Sequence, residues 1–217
     1  MHKSVNNLNL IQKVLKEKSK EKKIPNIIAV SKTFPISEIQ PLLEYGHKDF
    51  GENKIQEAIE KWSSIKNKFE NIKLHMVGKL QTNKVKFLIP LFDYFHSLDN
   101  IKLAKKIAEE EAKKKKKIKI FIQVNIGNEN QKSGIDADQL NEFYLTCTKE
   151  LNLNIIGLMC LPPNNENTLF YFSEIRNLTE KLGLRELSLG MSNDYIDAID
   201  YGSTYVRIGS KIFGERI

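Results

Sequence analysis

Apolar residues recur along this chain with two alternating periods. Near the start, Val5, Leu8, Ile11 and Leu15 are spaced by three and four, which puts them on one face of an amphipathic helix. After Lys23 the pattern changes to short apolar runs separated by helical spacing. The runs are Ile27–Ser31, Asp49–Gly51, Leu74–Gly78, Tyr94–Leu98, Ile118–Ile126, Ile155–Leu161, Glu186–Met191 and Tyr205–Ile208. Helical spacing returns between them, as in Ile101, Ala104, Ala108 and Ala112, or in Leu169, Phe172, Ile175 and Leu178. Ser37 with Gln40, Asn53 with Gln56, and Asp136 with Gln139 have the spacing of capping boxes just after a strand.

Strand-then-helix units repeated through a chain without a Pro/Gly/Ser-rich linker predict an α/β fold. The expected architecture is a single (β/α)8 TIM-type barrel with an extra N-terminal helix. It is one domain, residues 1–217, with residues 1–23 forming the helix packed on the barrel. An open doubly wound sheet is the alternative, because the second run is short.

Composition narrows the picture only slightly. The chain is 41% hydrophobic and 28% charged, values ordinary for a water-soluble domain. No apolar run approaches the ~20 residues of a membrane-spanning helix, and the Lys/Asn-rich start lacks the apolar centre of a signal peptide. Cys147 and Cys160 show no metal spacing and read as buried reduced thiols, which with the absent leader gives a cytoplasmic expectation. The net charge of +7 is spread through the chain. Its densest run, Lys113–Lys117, follows Glu109–Glu111, and acid-then-base order suits the dipole at a helix C-terminus. No aromatics interleave with it, so a nucleic-acid surface is not expected.

In barrels of this kind, functional groups sit at the C-terminal ends of the strands. Those ends carry Lys32, Asn53, Gly78, Asp99, Asn125, Leu161, Ser192 and Arg207 with Gly209. Lys32 follows Ile-Ile-Ala-Val-Ser directly, and partial desolvation there favours the neutral amine that attacks an aldehyde. A surface lysine opening a loop is the plain alternative. Ser192 lies between Leu189-Gly190-Met191 and a helix start, so it is either part of an anion site or a simple N-cap. Arg207 alternates with apolar neighbours and precedes Gly209-Ser210, whose backbone can approach a phosphate; a structural arginine paired with a carboxylate is the other reading. His75 reads as a lone strand histidine with no second ligand at metal spacing, so no metal is expected. Dinucleotide, P-loop and nucleophile-elbow fingerprints are absent.

Taken in order, these clusters resemble the YggS/PROSC family of pyridoxal 5′-phosphate (PLP) homeostasis proteins. The likeness runs from about Ile27 to Arg216. It rests on Ala29-Val30-Ser31-Lys32, Phe50-Gly51-Glu52-Asn53, His75 with Gly78, and Val124-Asn125-Ile126 with Glu129, Lys132 and Gly134. It continues through Gly157-Leu158-Met159, Leu189-Gly190-Met191-Ser192 and Val206-Arg207-Ile208-Gly209 with Ile212-Phe213-Gly214. The family is similar in fold to the N-terminal barrel of alanine racemase.

The resemblance implies PLP held as an internal aldimine on Lys32, Arg207 facing the pyridine nitrogen, and Ser192 with the Gly209 and Ser210 backbone on the phosphate. It further implies Asn53, His75 and Met159 as pocket residues, and Lys132 as a second basic residue near the mouth. An arginine at the ring nitrogen disfavours its protonation and weakens the ring as an electron sink. Lys211 stands where the family usually has a small residue.

The function expected on this basis is intracellular PLP homeostasis by a monomer, with no catalytic residues, exchanging cofactor with transient donor or acceptor enzymes and touching no membrane. The alternative is a PLP-dependent amino-acid racemase or related enzyme. Racemisation needs proton transfer on both faces of the α-carbon. The sequence runs only three residues past Gly214, so no further domain bringing an opposing tyrosine is expected, and Tyr195, Tyr201 or His75 would have to serve.

Overall fold

The structure is a computed structural model that describes residues 1–19, 23–127, 133–163 and 168–215. Glu129, Lys132 and Arg216 lie outside the described residues.

Eight parallel strands close into a barrel in sequence order. They are β1 (Asn26–Val30), β2 (Asp49–Glu52), β3 (Lys73–Met76), β4 (Tyr94–Leu98), β5 (Lys119–Val124), β6 (Ile155–Cys160), β7 (Glu186–Ser188) and β8 (Tyr205–Ile208). Closure is made by β1 on β8, with Ile27 opposite Val206 and Ile28 opposite Arg207. The open sheet is thereby excluded. The short second run is a true strand, Phe50 pairing with both Ala29 and Leu74.

The surrounding helices are α2 (Ile36–Glu44), α3 (Ile55–Trp62), α4 (Val85–Leu91), α5 (Ile101–Lys114), α6 (Leu140–Leu145), α7 (Thr168–Lys181), α8 (Tyr195–Asp200) and α9 (Ser210–Phe213), preceded by α1 (Lys3–Ser19). The predicted stripe Val5, Leu8, Ile11 and Leu15 is the buried face of α1, and each such side chain gains roughly 1.5–3 kcal/mol on leaving water. This helix packs on α8, α9 and α2 along the barrel's side. Asn7 Nδ2 donates to the Ile212 carbonyl at 3.0 Å and so ties α1 to α9.

Side-chain alternation along the strands separates two cores. Ile27, Ala29, Phe50, Leu74, Phe95 and Val206 face the helices. Ile28, Val30, Tyr94, Phe121, Met159 and Tyr205 fill the barrel interior. Cys147 and Cys160 are free and buried, and burial pushes both thiols up to about 12. No helix among the described residues is long and apolar enough to cross a membrane.

The three expected capping boxes do not form. Ser37 lies inside α2, whose cap position is held by Pro35; α3 starts after Lys54 and α6 after Gln139. The strand-end side chains are engaged elsewhere: Asn53 turns to the barrel mouth and Asp136 accepts from Asn125 Nδ2. A side-chain cap does form at α5, where Asn100 Oδ1 accepts from the Leu103 N–H at 2.9 Å.

Candidate functional site

A cavity of about 620 Å³ opens at the C-terminal end of the barrel. It is built from the loops after β1 (Lys32, Phe34), β2 (Asn53), β3 (Val77, Gly78), β6 (Leu161 to Pro163), β7 (Met191 to Asp194) and β8 (Arg207, Gly209, Ser210). Six of the expected pocket residues thus meet there: Lys32, Asn53, Ser192, Arg207, Gly209 and Ser210. Gly78 is required by packing, because a Cβ at that position would lie 2.2 Å from the Asn53 carbonyl oxygen. Asn53 Oδ1 is buried and has no hydrogen-bond partner among the described residues.

The backbone carrying Lys32 is clamped from behind by charge. Glu52 at the end of β2 is fully buried, and its Oε1 accepts from Ser31 Oγ (2.7 Å), Lys61 Nζ (2.9 Å) and Trp62 Nε1 (3.0 Å). Lys61 on α3 also donates to the Ser31 carbonyl at 2.8 Å and to Glu57 Oε1 at 2.9 Å. Glu57 accepts from the Thr33 N–H, and Thr33 has φ of 68°, a left-handed conformation unfavourable for a β-branched residue. The residues on either side of Lys32 are therefore fixed by one ion-pair network, buried at Glu52 and Lys61 and partly exposed at Glu57.

Arg207 is buried at the cavity floor, where it donates through one terminal nitrogen to the Ser188 carbonyl (2.7 Å) and Ser188 Oγ (2.6 Å). Through the other it donates to the Cys160 carbonyl at 2.9 Å. Burial lowers its pKa from the usual arginine value. These partners are neutral oxygens, so the alternative of a carboxylate-paired structural arginine is not what the structure contains.

Ser192 does not cap α8, whose cap position is Asp194; its Oγ accepts from the Lys211 N–H at the start of α9, 3.4 Å away. The Lys211 ammonium lies over the Tyr195 ring, 5.0 Å from its centroid, and does not line the cavity. Asp194 Oδ1 accepts from the Met191 N–H at 2.6 Å and shapes the same loop.

Two expected pocket residues lie elsewhere. Met159 is fully buried in the barrel interior beside Phe121 and Tyr205. His75 is fully buried near the opposite end of the barrel, stacked on Tyr94 with centroids 4.1 Å apart. Neither lines the cavity at the mouth.

Nor is His75 alone. His96 on β4 lies against it, with N···N 2.9 Å, a separation that makes a hydrogen bond. Among the described residues no group of three or more His, Cys, Asp or Glu could hold a metal ion. His96 and Lys61 were not singled out from the sequence, and Glu52 and Ser188 were given no role of their own. The signal for His96 was its place two residues after Tyr94, on the same face of strand Tyr94–Leu98.

Comparison with known proteins places this barrel in a defined class. Residues 5–217 match the family model for the alanine racemase N-terminal domain. An alanine racemase from Clostridium difficile superposes with a TM-score of 0.73 at 18% identity, covering 99% of this chain and 57% of that one; the likeness is one of fold. Within that class the similarity is much closer to a group of single-barrel proteins. A pyridoxal phosphate homeostasis protein from Aquifex aeolicus is 35% identical over 96% of this chain and 95% of its own length. One from Haemophilus influenzae is 35% identical over 97% and 94%. The structure of PipY from Synechococcus elongatus with PLP bound gives a TM-score of 0.87 at 28% identity, covering 97% of this chain and all of that one, at 100%. The chain belongs to the pyridoxal phosphate homeostasis protein family.

Proposed function

We propose that this protein binds PLP at the C-terminal mouth of its barrel, covalently through Lys32, and serves as a carrier of the cofactor without turning over a substrate. The observation that carries the reading is the donor set converging on one cavity: the Lys32 amine, the Arg207 guanidinium, and the Ser192 and Ser210 hydroxyls beside Gly209. An aldehyde asks for an amine, and a phosphate asks for hydroxyls and approachable backbone. The buried, unpartnered Asn53 Oδ1 supplies an acceptor for a ligand donor. When bound, PLP would supply a conjugated ring able to delocalise electrons from an attached amine. Arg207, already held by carbonyl and hydroxyl oxygens, presents a fixed cation to the ring and cannot accept a hydrogen bond from a ring N–H.

No tyrosine or histidine is among the described lining residues, which supports carriage over racemisation. Among the described lining residues the ionisable ones are Lys32, Asp194 and Arg207. The three groups offered by the sequence as partners for Lys32 are placed otherwise. Tyr195 is buried under Lys211, Tyr201 packs on Phe172, and His75 sits deep in the barrel. The expected partners are PLP-donating and PLP-accepting enzymes met transiently in the cytoplasm, with the protein itself a monomer.

The test is to load purified protein with PLP and incubate it with each amino acid, following chirality and ammonia or CO2 release. Retained cofactor with no turnover is expected, together with transfer of PLP to an added apo-enzyme. Turnover of any amino acid that disappears in Lys32→Ala would overturn the carrier assignment.

A further inference from the structure

We infer that His96 and His75 are positioning residues for Arg207, joined to it through Ser188 in a one-way chain of hydrogen bonds that ends on Asp49 at the far end of the barrel. This rests on the reading that Arg207 faces the bound cofactor. The chain crosses the barrel interior on five strands, β8, β7, β4, β3 and β2. Arg207 on β8 donates to Ser188 Oγ on β7 at 2.6 Å. Ser188 Oγ lies 3.0 Å from His96 Nδ1, His96 Nε2 lies 2.9 Å from His75 Nδ1, and His75 Nε2 lies 3.0 Å from Asp49 Oδ1.

With both fully buried rings neutral, the carboxylate at the lower end fixes the direction of every bond. A guanidinium only donates, and an ionised carboxylate only accepts. His75 must therefore carry its hydrogen on Nε2, which leaves Nδ1 as an acceptor for His96 Nε2–H. His96 Nδ1 is then an acceptor for the Ser188 hydroxyl, whose oxygen accepts from Arg207. Turning either imidazole to its other tautomer would set two hydrogens or two lone pairs face to face. Both rings are neutral single donors in this arrangement.

Their surroundings agree. His75 and His96 are fully buried, and burial lowers both pKa values, that of His96 further through the nearby His75 and Arg207. Around His75 stand Asp49, Asp93 and Lys73, with His96 on the inner side. Stacking fixes the ring planes: His75 on Tyr94, and His96 on Phe121 with centroids 4.4 Å apart. At the upper end, Ser188 and the Cys160 carbonyl hold both terminal nitrogens of Arg207 from the barrel side. The fork's orientation toward the cavity is thus set from below, and Ser188 can hold its rotor only while His96 accepts from it.

The test has two arms. In protein without cofactor, 15N spectra of the imidazoles should show both rings protonated at Nε2 only, across the range about one unit on either side of the ordinary imidazole value of ~6.5. In the same sample the Arg207 guanidinium N–H signals should be resolved in wild type and exchange-broadened in His96→Leu. A doubly protonated ring, the Nδ1–H tautomer, or unchanged Arg207 signals would overturn the inference whether or not PLP binds.

In the second arm, PLP affinity and the pH profile of the bound chromophore are compared in wild type, His96→Leu and His96→Gln. Gln can accept and donate, so it should restore most of what Leu loses, expected at about 2- to 10-fold in affinity for one orienting hydrogen bond. Equal behaviour of Leu and Gln at equal folding stability would show a merely structural role and overturn it.

Discussion

Removing the Lys61 ammonium should unsettle the protein more than most substitutions at a helix surface. In Lys61→Met, the methylene stem is largely kept while the charge is lost. Glu52 is then a carboxylate with no exposed atoms, left with two neutral donors, Ser31 Oγ and Trp62 Nε1, and no cation. Its second oxygen already lacks a partner among the described residues. Breaking a buried pair by removing one member costs about 3–5 kcal/mol, because the remaining charge stays uncompensated. Solvent screening reduces this little, since the paired side chains are 8% and 0% exposed. For a chain of this size the loss corresponds to a fall in Tm of about 6–20 °C.

Urea unfolding read by the fluorescence of Trp62, the only tryptophan, and by circular dichroism gives the free energy and checks that the transition is two-state. The double variant Glu52→Gln, Lys61→Met should be less destabilised than Lys61→Met alone, because no bare charge is left behind. A single variant within about 1 kcal/mol of wild type, or a double no better than the single, would refute the reasoning.

Acid should weaken the fold well above the range where carboxylates titrate. His47, His75 and His96 are held neutral in the folded chain, chiefly by burial. An unfolded chain takes up a proton on each as pH falls through about 6.5, so stability is present above that value and is lost below it, down to each folded-state pKa. Each imidazole that stays neutral contributes a slope of up to about 1.4 kcal/mol per pH unit below ~6.5. Urea midpoints from pH ~7.5 to ~5.5 should fall, and His96→Phe should flatten the fall; a flat wild-type profile would contradict the assignment. Gly157→Ala should cost about 3 kcal/mol or more by overpacking, since its Cβ would meet the Glu186 carbonyl oxygen at 1.9 Å and part β6 from β7. Gly183→Ala, with φ of 66° but nothing within 4 Å, should cost only the ~1–2 kcal/mol of a left-handed alanine; equal thermal shifts for the two would show that the close approach is not real.

The barrel was legible because its evidence is periodic and local. Strands with both faces buried read as near-continuous apolar runs, and the residues that break those runs fall at their ends. That logic brought out Lys32, Asn53, Ser192 and Arg207, each at a strand's C-terminal end, where the structure does gather them at one mouth. Depth within the barrel is a different quantity. Strand tilt and register decide whether an inward side chain sits at the floor, the middle or the rim, and neither His75 nor Met159 lines the cavity.

His96 was invisible as a partner of His75 because the contact joins neighbouring strands 21 positions apart in the chain. Likewise, nothing local says that Lys61 on α3 reaches back to Ser31. Capping boxes failed for a related reason. Their spacing is a local signal, and the helices start at other cap residues, α3 after Lys54 and α6 after Gln139.

The most direct test of the account is covalent capture at Lys32. Protein incubated with PLP should develop absorption near ~420 nm, as a lysine–aldehyde condensation product does. Borohydride should bleach that band and fix the cofactor to the chain. Peptide mass spectrometry is predicted to find the added mass on Lys32, with no band and no added mass in Lys32→Ala. A protein that takes up no PLP, or that carries it on another lysine such as Lys54 or Lys211, would contradict the account.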